Sequence, residues 1–181
     1  SATPPADRAP LDRAYADAMT EAARAFPNND TIQVLFAESL MDLSPWDYWE
    51  AGGARPKNRT AELVGSLERV LERNPTHPGA AHYYIHAMEA STHPEKALPA
   101  ARVLARQIPG AGHIVHMPSH IYYRIGMYKE ALQSNLKAVA VDEGEGLPPA
   151  LGDAPVAGVG DALARLVQIA DGVAADRVGG A

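Results

Sequence analysis

The sequence predicts an all-α protein, a helical solenoid of three to four helix pairs. Three observations carry that prediction. His82 and His116 stand 34 residues apart, and His86 and His120 are separated by the same 34; this is the period of a helix–turn–helix unit stacked on the next. Prolines fall where such units would end, at Pro27, Pro75 and Pro109. The chain is 46% hydrophobic but only 6% aromatic, which favours closely packed, alanine-rich helices over a β-sandwich.

The elements follow in order. Residues 11–26, LDRAYADAMTEAARAF, form an amphipathic helix that stops at Pro27-Asn28-Asn29. Asp30 or Thr31 caps a second helix over about 31–43, with Leu35, Leu40 and Leu43 as its core stripe. SPWDYWEAGGARPKNR, residues 44–59, is too long and too rich in Gly and Pro for a simple helix–helix turn, so it is an insertion loop. Trp46, Tyr48 and Trp49 within it either plug a gap between the first two helix pairs or form a lid over the groove next to Glu38 and Asp42; Arg55, Lys57 and Arg59 read as a solvated basic run. Thr60 caps a third helix, about 60–73, striped by Leu63, Leu67, Val70 and Leu71. Helices from about Pro78 to Ala90 and from Pro94 to Gln107 make the next pair, and 113–125 with 128–141 the last, turning at Gly126-Met127. Pro118 falls inside a helix and should kink or restart it. The solenoid is thus expected over 1–142. Residues 143–181 are a Gly/Pro/Ala-rich tail, extended over 143–160, with a terminal helix at 161–174.

Charge is unevenly spread. Residues 1–50 carry 9 acids and 3 bases and residues 142–181 carry 7 acids and 2 bases, so the middle is net positive within a chain of net charge −6. That balance argues against nucleic acid, and no apolar run is long enough for a membrane span. The acidic tail and basic middle make a second copy of the chain a candidate host for the tail, supporting a head-to-tail homo-oligomer. With no cysteine, disulfides, thiolate metal sites and cysteine nucleophiles are excluded. The Ala/Pro-rich opening, SATPPADRAP, has the texture of a segment that follows a removed signal peptide, so a periplasmic or secreted setting is expected over a cytoplasmic one.

RIGMYKEALQSNLKAVAVD, residues 124–142, resembles the second half of a tetratricopeptide repeat: Gly126, Tyr128, Ala131, Ala138 and Asp142 stand where that family has Gly, Tyr, Ala, Ala and Asp. Ala97, in PEKALPAARVL, matches Ala131 one period earlier. AESLMDLSPWDYW, HPGAAHYYIHAMEAS and PGAGHIVHMPSHIYYRIGMY are similar to a bacterial subfamily of tetratricopeptide proteins. The resemblance covers about residues 11–142 and implies a right-handed solenoid with a protein or peptide partner in its concave groove. It also implies that the first helix of each pair lines that groove. By its register His82, His86 and Glu89 line it from one repeat and His113, His116, His120 and Tyr123 from the next, with Val34, Glu38 and Met41 before them. Glu38, His86 and His120 would then form one row, with His82 and His116 in another.

Helical spacing supports the grouping independently. His82 and His86 are an i, i+4 pair, and Glu89 lies one turn on. His113, His116 and His120 obey the same rule across Pro118. Imidazoles one turn apart bring ligand nitrogens to a common point. The candidate metal ligands are therefore His82, His86, Glu89, His113, His116, His120 and Glu38, enough for a two-metal centre. Imidazole with carboxylate suits a divalent zinc, iron, copper, nickel or manganese ion. Two metal-free readings stand beside this one: a polar histidine network and a clamp for a peptide carboxylate. His77 and His93, each before a proline, read as solvated loop residues, His93 with some claim to a supporting role for Glu89. No serine-nucleophile motif, phosphate-cradling loop or dinucleotide fingerprint is present, so any enzyme activity would have to run on the metal site.

Overall fold

The computed structural model describes residues 7–144, and the expectations for the tail from residue 145 onward fall outside them. Eight α-helices are present among these residues: α1 Ala9–Ala25, α2 Asp30–Asp42, α3 Thr60–Arg73, α4 Pro78–Met88, α5 Leu98–Gln107, α6 Gly112–His116, α7 Pro118–Arg124 and α8 Tyr128–Asp142. A 3₁₀ turn, Pro94–Ala97, leads into α5. The described residues contain no strand; the one bridge joins Trp49 to Pro56 inside the insertion loop.

Each helix packs on its successor, with α6 and α7 sharing the place of one helix against α5 and α8. In addition α2 touches α4, and α4 touches α7. The first helices of successive pairs therefore lie side by side, α2, α4 and α6–α7, backed by α3, α5 and α8, with α1 ahead of them. The result is a tetratricopeptide-like solenoid.

The core explains this stacking. Leu63, Leu67 and Val70 of α3 lie on one stripe at helical spacing and are almost wholly buried, as are Ile85, Leu104, Met117 and Ile121. Buried alanines, among them Ala37, Ala80, Ala81, Ala97 and Ala101, let neighbouring helices approach closely. Truncating Leu67 to alanine would cost about 2–5 kcal/mol. Gln33 is the main buried polar group of α2. Its Nε2 donates to the Ala23 carbonyl at 2.9 Å, and its Oε1 accepts from Ser66 Oγ at 2.8 Å, so α1, α2 and α3 are pinned together without an unpaired atom.

The helix starts differ from the sequence expectation in detail. Asn29 caps α2, its Oδ1 accepting from the Ile32 N–H at 3.1 Å. Asp30 is instead spent on Arg73 at 2.7 Å, tying the start of α2 to the end of α3. Thr60 is buried as the first residue of α3 and does not cap it. His77 Nδ1 accepts from the Ala80 N–H at 3.2 Å, so this residue is the cap of α4 and not a free loop histidine. Leu35 corrects the core stripe: it is 41% exposed, whereas Leu40 is 4%. Five residues along a helix turn a side chain by roughly 140° from the starting face, so the two cannot share one. The basic run is paired: Arg55 with Glu50 at 2.8 Å, Lys57 with Asp47, and Arg59 with Glu62 at 2.7 Å.

Two local features place the site. The insertion loop folds back on the end of α4: Thr92 N–H donates to the Gly53 carbonyl at 2.9 Å. Gly53 has φ 73°, and a Cβ there would run into the Ala90 carbonyl, so only glycine fits this crossing. At Pro118 the helix restarts, since proline brings no N–H. Met117 keeps helical dihedrals, φ −49° and ψ −39°, so α6 and α7 stay nearly in phase.

Candidate metal centre

Six of the seven candidate ligands gather where α4 meets α6–α7. His82, His86 and Glu89 project from α4 and its C-terminal cap; His113 and His116 come from α6 and His120 from α7. The rings of His86 and His120 lie 5.3 Å apart, and those of His82 and His113 5.0 Å. Two subsets each bring three ligand atoms within 4.8 Å of one another: His82, His86 and His113, and His86, Glu89 and His120. His116 joins through its Nε2, 2.9 Å from Nε2 of His120. Pro118 does not disperse the group, because the restarted helix keeps His116 and His120 on one face with ring centroids 4.7 Å apart.

Glu38 lies apart from both subsets. Its carboxylate accepts from the Tyr15 hydroxyl of α1 at 2.9 Å. Burial raises its pKa, against the Tyr15 hydrogen bond, with Asp42 adding repulsion. His93 pairs with Glu95 at 3.0 Å, exposed on the surface, and gives Glu89 no support.

The carboxylate of the cluster is Glu89. One oxygen lies 3.2 Å from His86 Nδ1 and the other 2.7 Å from His120 Nδ1. Burial alone would raise its pKa, but the two histidine hydrogen bonds and their charges outweigh that and hold it at about 2. An ionised carboxylate only accepts, so both imidazoles donate Nδ1–H to it; in its neutral form each ring then carries its lone pair on Nε2. Such a carboxylate–histidine arrangement fixes ring tautomer and orientation for metal binding.

The same accounting applies to His116. Its Nδ1 lies 2.7 Å from Asn135 Oδ1 of α8, an acceptor, and 3.3 Å from the Ser119 hydroxyl. With Asn135 Oδ1 as its acceptor, neutral His116 keeps a lone pair on Nε2, facing Nε2 of His120 at 2.9 Å. Two lone pairs at that distance repel unless a cation joins them. Burial pushes His116 below its usual pKa, with His120, His113 and His86 adding to the shift and the Asn135 bond opposing it. Burial likewise lowers His82 to about 4, reinforced by His86, His113 and His120, and lowers His113. His82 and His113 approach through their Nε2 atoms at 3.0 Å; one ring can donate to the other, so this pair closes while neutral.

Asn135 and Ser119 were not singled out by sequence as parts of the site, whereas Trp46 was, as a lid, though beside Glu38 and not His86. Asn135 comes from a second helix of a pair, whereas the repeat register points only to first helices. Trp46 sets its ring edge-on to His86 with centroids 5.0 Å apart, so one loop aromatic does reach the cluster. Tyr48 is the buried plug, and Trp49 donates its indole N–H to the Ala87 carbonyl at 2.6 Å. A hollow of about 220 Å³ beside the centre is lined by Glu89, His116, Ser119, His120, Arg124 and Asn135.

The fold defines a class, the tetratricopeptide-like helical solenoids. The solved structure named MamA MSR-1 C2 matches the chain with a TM-score of 0.55 at 16% sequence identity, over 75% of this chain and 70% of that one. At that identity the likeness shows the fold alone. No family model and no curated protein matches the chain. No helix among the described residues is long and apolar enough to cross a membrane.

Proposed function

We propose that this chain is a tetratricopeptide-like scaffold holding a divalent transition metal in a histidine-rich centre. The observation that carries the reading is the meeting of His116 and His120. Their Nδ1 atoms face Asn135 and Glu89, so neutral rings that donate there carry lone pairs on Nε2 atoms 2.9 Å apart, and a metal cation satisfies both at once. His82, His86 and His113 supply further nitrogens, with ligand atoms within 4.8 Å. Glu89 either joins as a ligand or remains behind His86 and His120 to orient them. The donor set is imidazole with carboxylate and no thiolate, which suits zinc, iron, copper, nickel or manganese.

The metal-free network is the competing reading, and it turns on one amide. If Asn135 were reversed end for end, its Nδ2 would donate to His116 and a neutral chain of imidazoles would close. Metal content decides between them. Protein made without an affinity tag and purified without chelator should carry stoichiometric metal, and stripped protein should rebind zinc or copper. Absence of metal in the first sample together with no binding in the second would leave the neutral network standing.

A solenoid of this class also suggests a protein-interaction scaffold, with the metal centre stabilising the face between α4 and α6–α7. The alternative of a self-assembling subunit rests on the tail. Sizing of the full chain over a range of concentrations, beside a chain ending at residue 142, tests it: a truncated chain that assembles just like the full one, or a full chain that is strictly monomeric at high concentration, refutes it.

A further inference from the structure

A second, larger hollow opens beside the centre. It has a volume of about 550 Å³ and is lined by Trp46, Trp49, Gly53, Ser91, Thr92 and Arg124 among others. Small-molecule sites occupy roughly 300–1,000 Å³. Trp46 and Trp49 are the two tryptophans of the chain, and both stand on this wall. Trp49 is fixed by its hydrogen bond to Ala87. Trp46 is 69% exposed and sits at φ 63°. A left-handed backbone at a bulky residue costs about 1 kcal/mol or more, and an exposed indole forgoes the burial that normally rewards it. The edge contact of Trp46 with His86 covers only part of the ring, and most of the indole stays open to the hollow.

Charge on the wall is equally particular. Glu50 is taken by Arg55 at 2.8 Å. The Arg124 side chain makes no hydrogen bond or ion pair with the other described residues, and it lines both this hollow and the smaller one formed by Glu89, His116 and His120. The wall thus offers two indole rings and one uncommitted guanidinium.

We propose that this hollow binds a small organic carboxylate with an apolar body, the carboxylate on Arg124 and the body against Trp46 and Trp49. A guanidinium matches a carboxylate through two parallel hydrogen bonds. An inorganic anion would leave the indoles uncovered, a cation would meet Arg124 with like charge, and a neutral apolar molecule would leave Arg124 unpaired. The proposal does not depend on a bound metal.

Intrinsic tryptophan fluorescence reads this site directly, since both emitters line it. Full-length protein is titrated in EDTA with phenylacetate, with its uncharged isostere phenylacetamide, and with acetate. Phenylacetate should change the emission saturably at up to about 10 mM, an affinity suited to so small a probe. Phenylacetamide, acetate and phenylacetate with the folded Arg124→Gln variant should each bind about tenfold more weakly or worse, reflecting a lost charge-assisted pair or lost stacking. No saturable change with phenylacetate, or equal binding of phenylacetamide, overturns the proposal. If Arg124→Gln does not fold, phenylacetamide makes the same comparison on the unaltered chain. Because chelator is present throughout, a negative metal assay leaves this result unaffected, and a negative titration leaves the metal reading unaffected.

Discussion

Glu38 and Glu89 are two partly buried carboxylates on first helices of neighbouring pairs, and their surroundings drive them in opposite directions. Glu38 has the Tyr15 hydroxyl and the nearby Asp42, and burial prevails, raising its pKa. Glu89 is also penalised by burial, yet His86 and His120 hold it ionised at about 2. The region around α1 and α2 carries a carboxylate closed off by a phenol. The region around α4, α6 and α7 carries one with both oxygens committed to imidazoles. Position on the repeat determines which face a residue occupies, and the neighbours supplied by other helices determine what it does there.

The largest effect should come from the ligand nitrogens themselves. Replacing His86 or His120 by alanine should abolish most bound metal measured by elemental analysis, while Glu38→Gln and His77→Ala retain it; the same metal content in all four variants would sink the centre. His77→Ala should still lower stability by about 1 kcal/mol, through loss of the α4 cap.

Next in size is Glu89→Gln. A glutamine amide cannot accept from both Nδ1–H groups as a carboxylate does, so zinc affinity should fall about 10–100-fold if Glu89 orients the rings. An unchanged affinity by competition titration would show that Glu89 contributes nothing to the centre.

Acid provides a gentler probe. Glu89 sits at about 2 against its usual 4.5, so its stabilising contribution is full above pH 4.5 and is lost as pH falls toward 2. His82 sits at about 4 against 6.5, favouring its neutral form, so its contribution is full above pH 6.5 and is lost as pH falls through 4. Both act in one direction. The Tm of metal-free protein should therefore drop from pH 7 to pH 4, and His82→Gln should flatten that slope. A variant slope as steep as that of the unaltered chain would contradict the assignment.

The smallest change is expected at the other carboxylate. A raised pKa in the folded state means that Glu38 contributes below pH 4.5 and opposes folding once ionised. Glu38→Gln keeps an acceptor for Tyr15 and removes the charge, so Tm at pH 7 should rise slightly, with no change in metal binding. A clear loss of stability would show that the ionised form is the one the fold prefers.

Convergence of the histidines was legible because equal repeat positions share a face, and because His82, His86 and Glu89 follow one another at helical spacing. The break at Pro118 was legible from the missing N–H. What was not legible depended on other helices or on backbone turns. Nothing near Glu38 in sequence points to Tyr15, which comes from α1, and nothing near His116 points to Asn135, which comes from α8. Trp46 reaches His86 only because its own backbone takes a left-handed turn, a conformation that its side chain does not advertise.

Gly112, at the first turn of α6, has the Asp142 carboxylate where a Cβ would stand. The end of α8 therefore lays a side chain across the start of α6, and a side chain at 112 obliges the Asp142 carboxylate to swing away. The two positions are coupled under substitution. Because Asp142 is exposed and only its carboxylate stands in the way, Gly112→Ala should cost little in the unaltered chain and still less where Asp142 has become glycine, a dependence that Tm of the single and double variants would show.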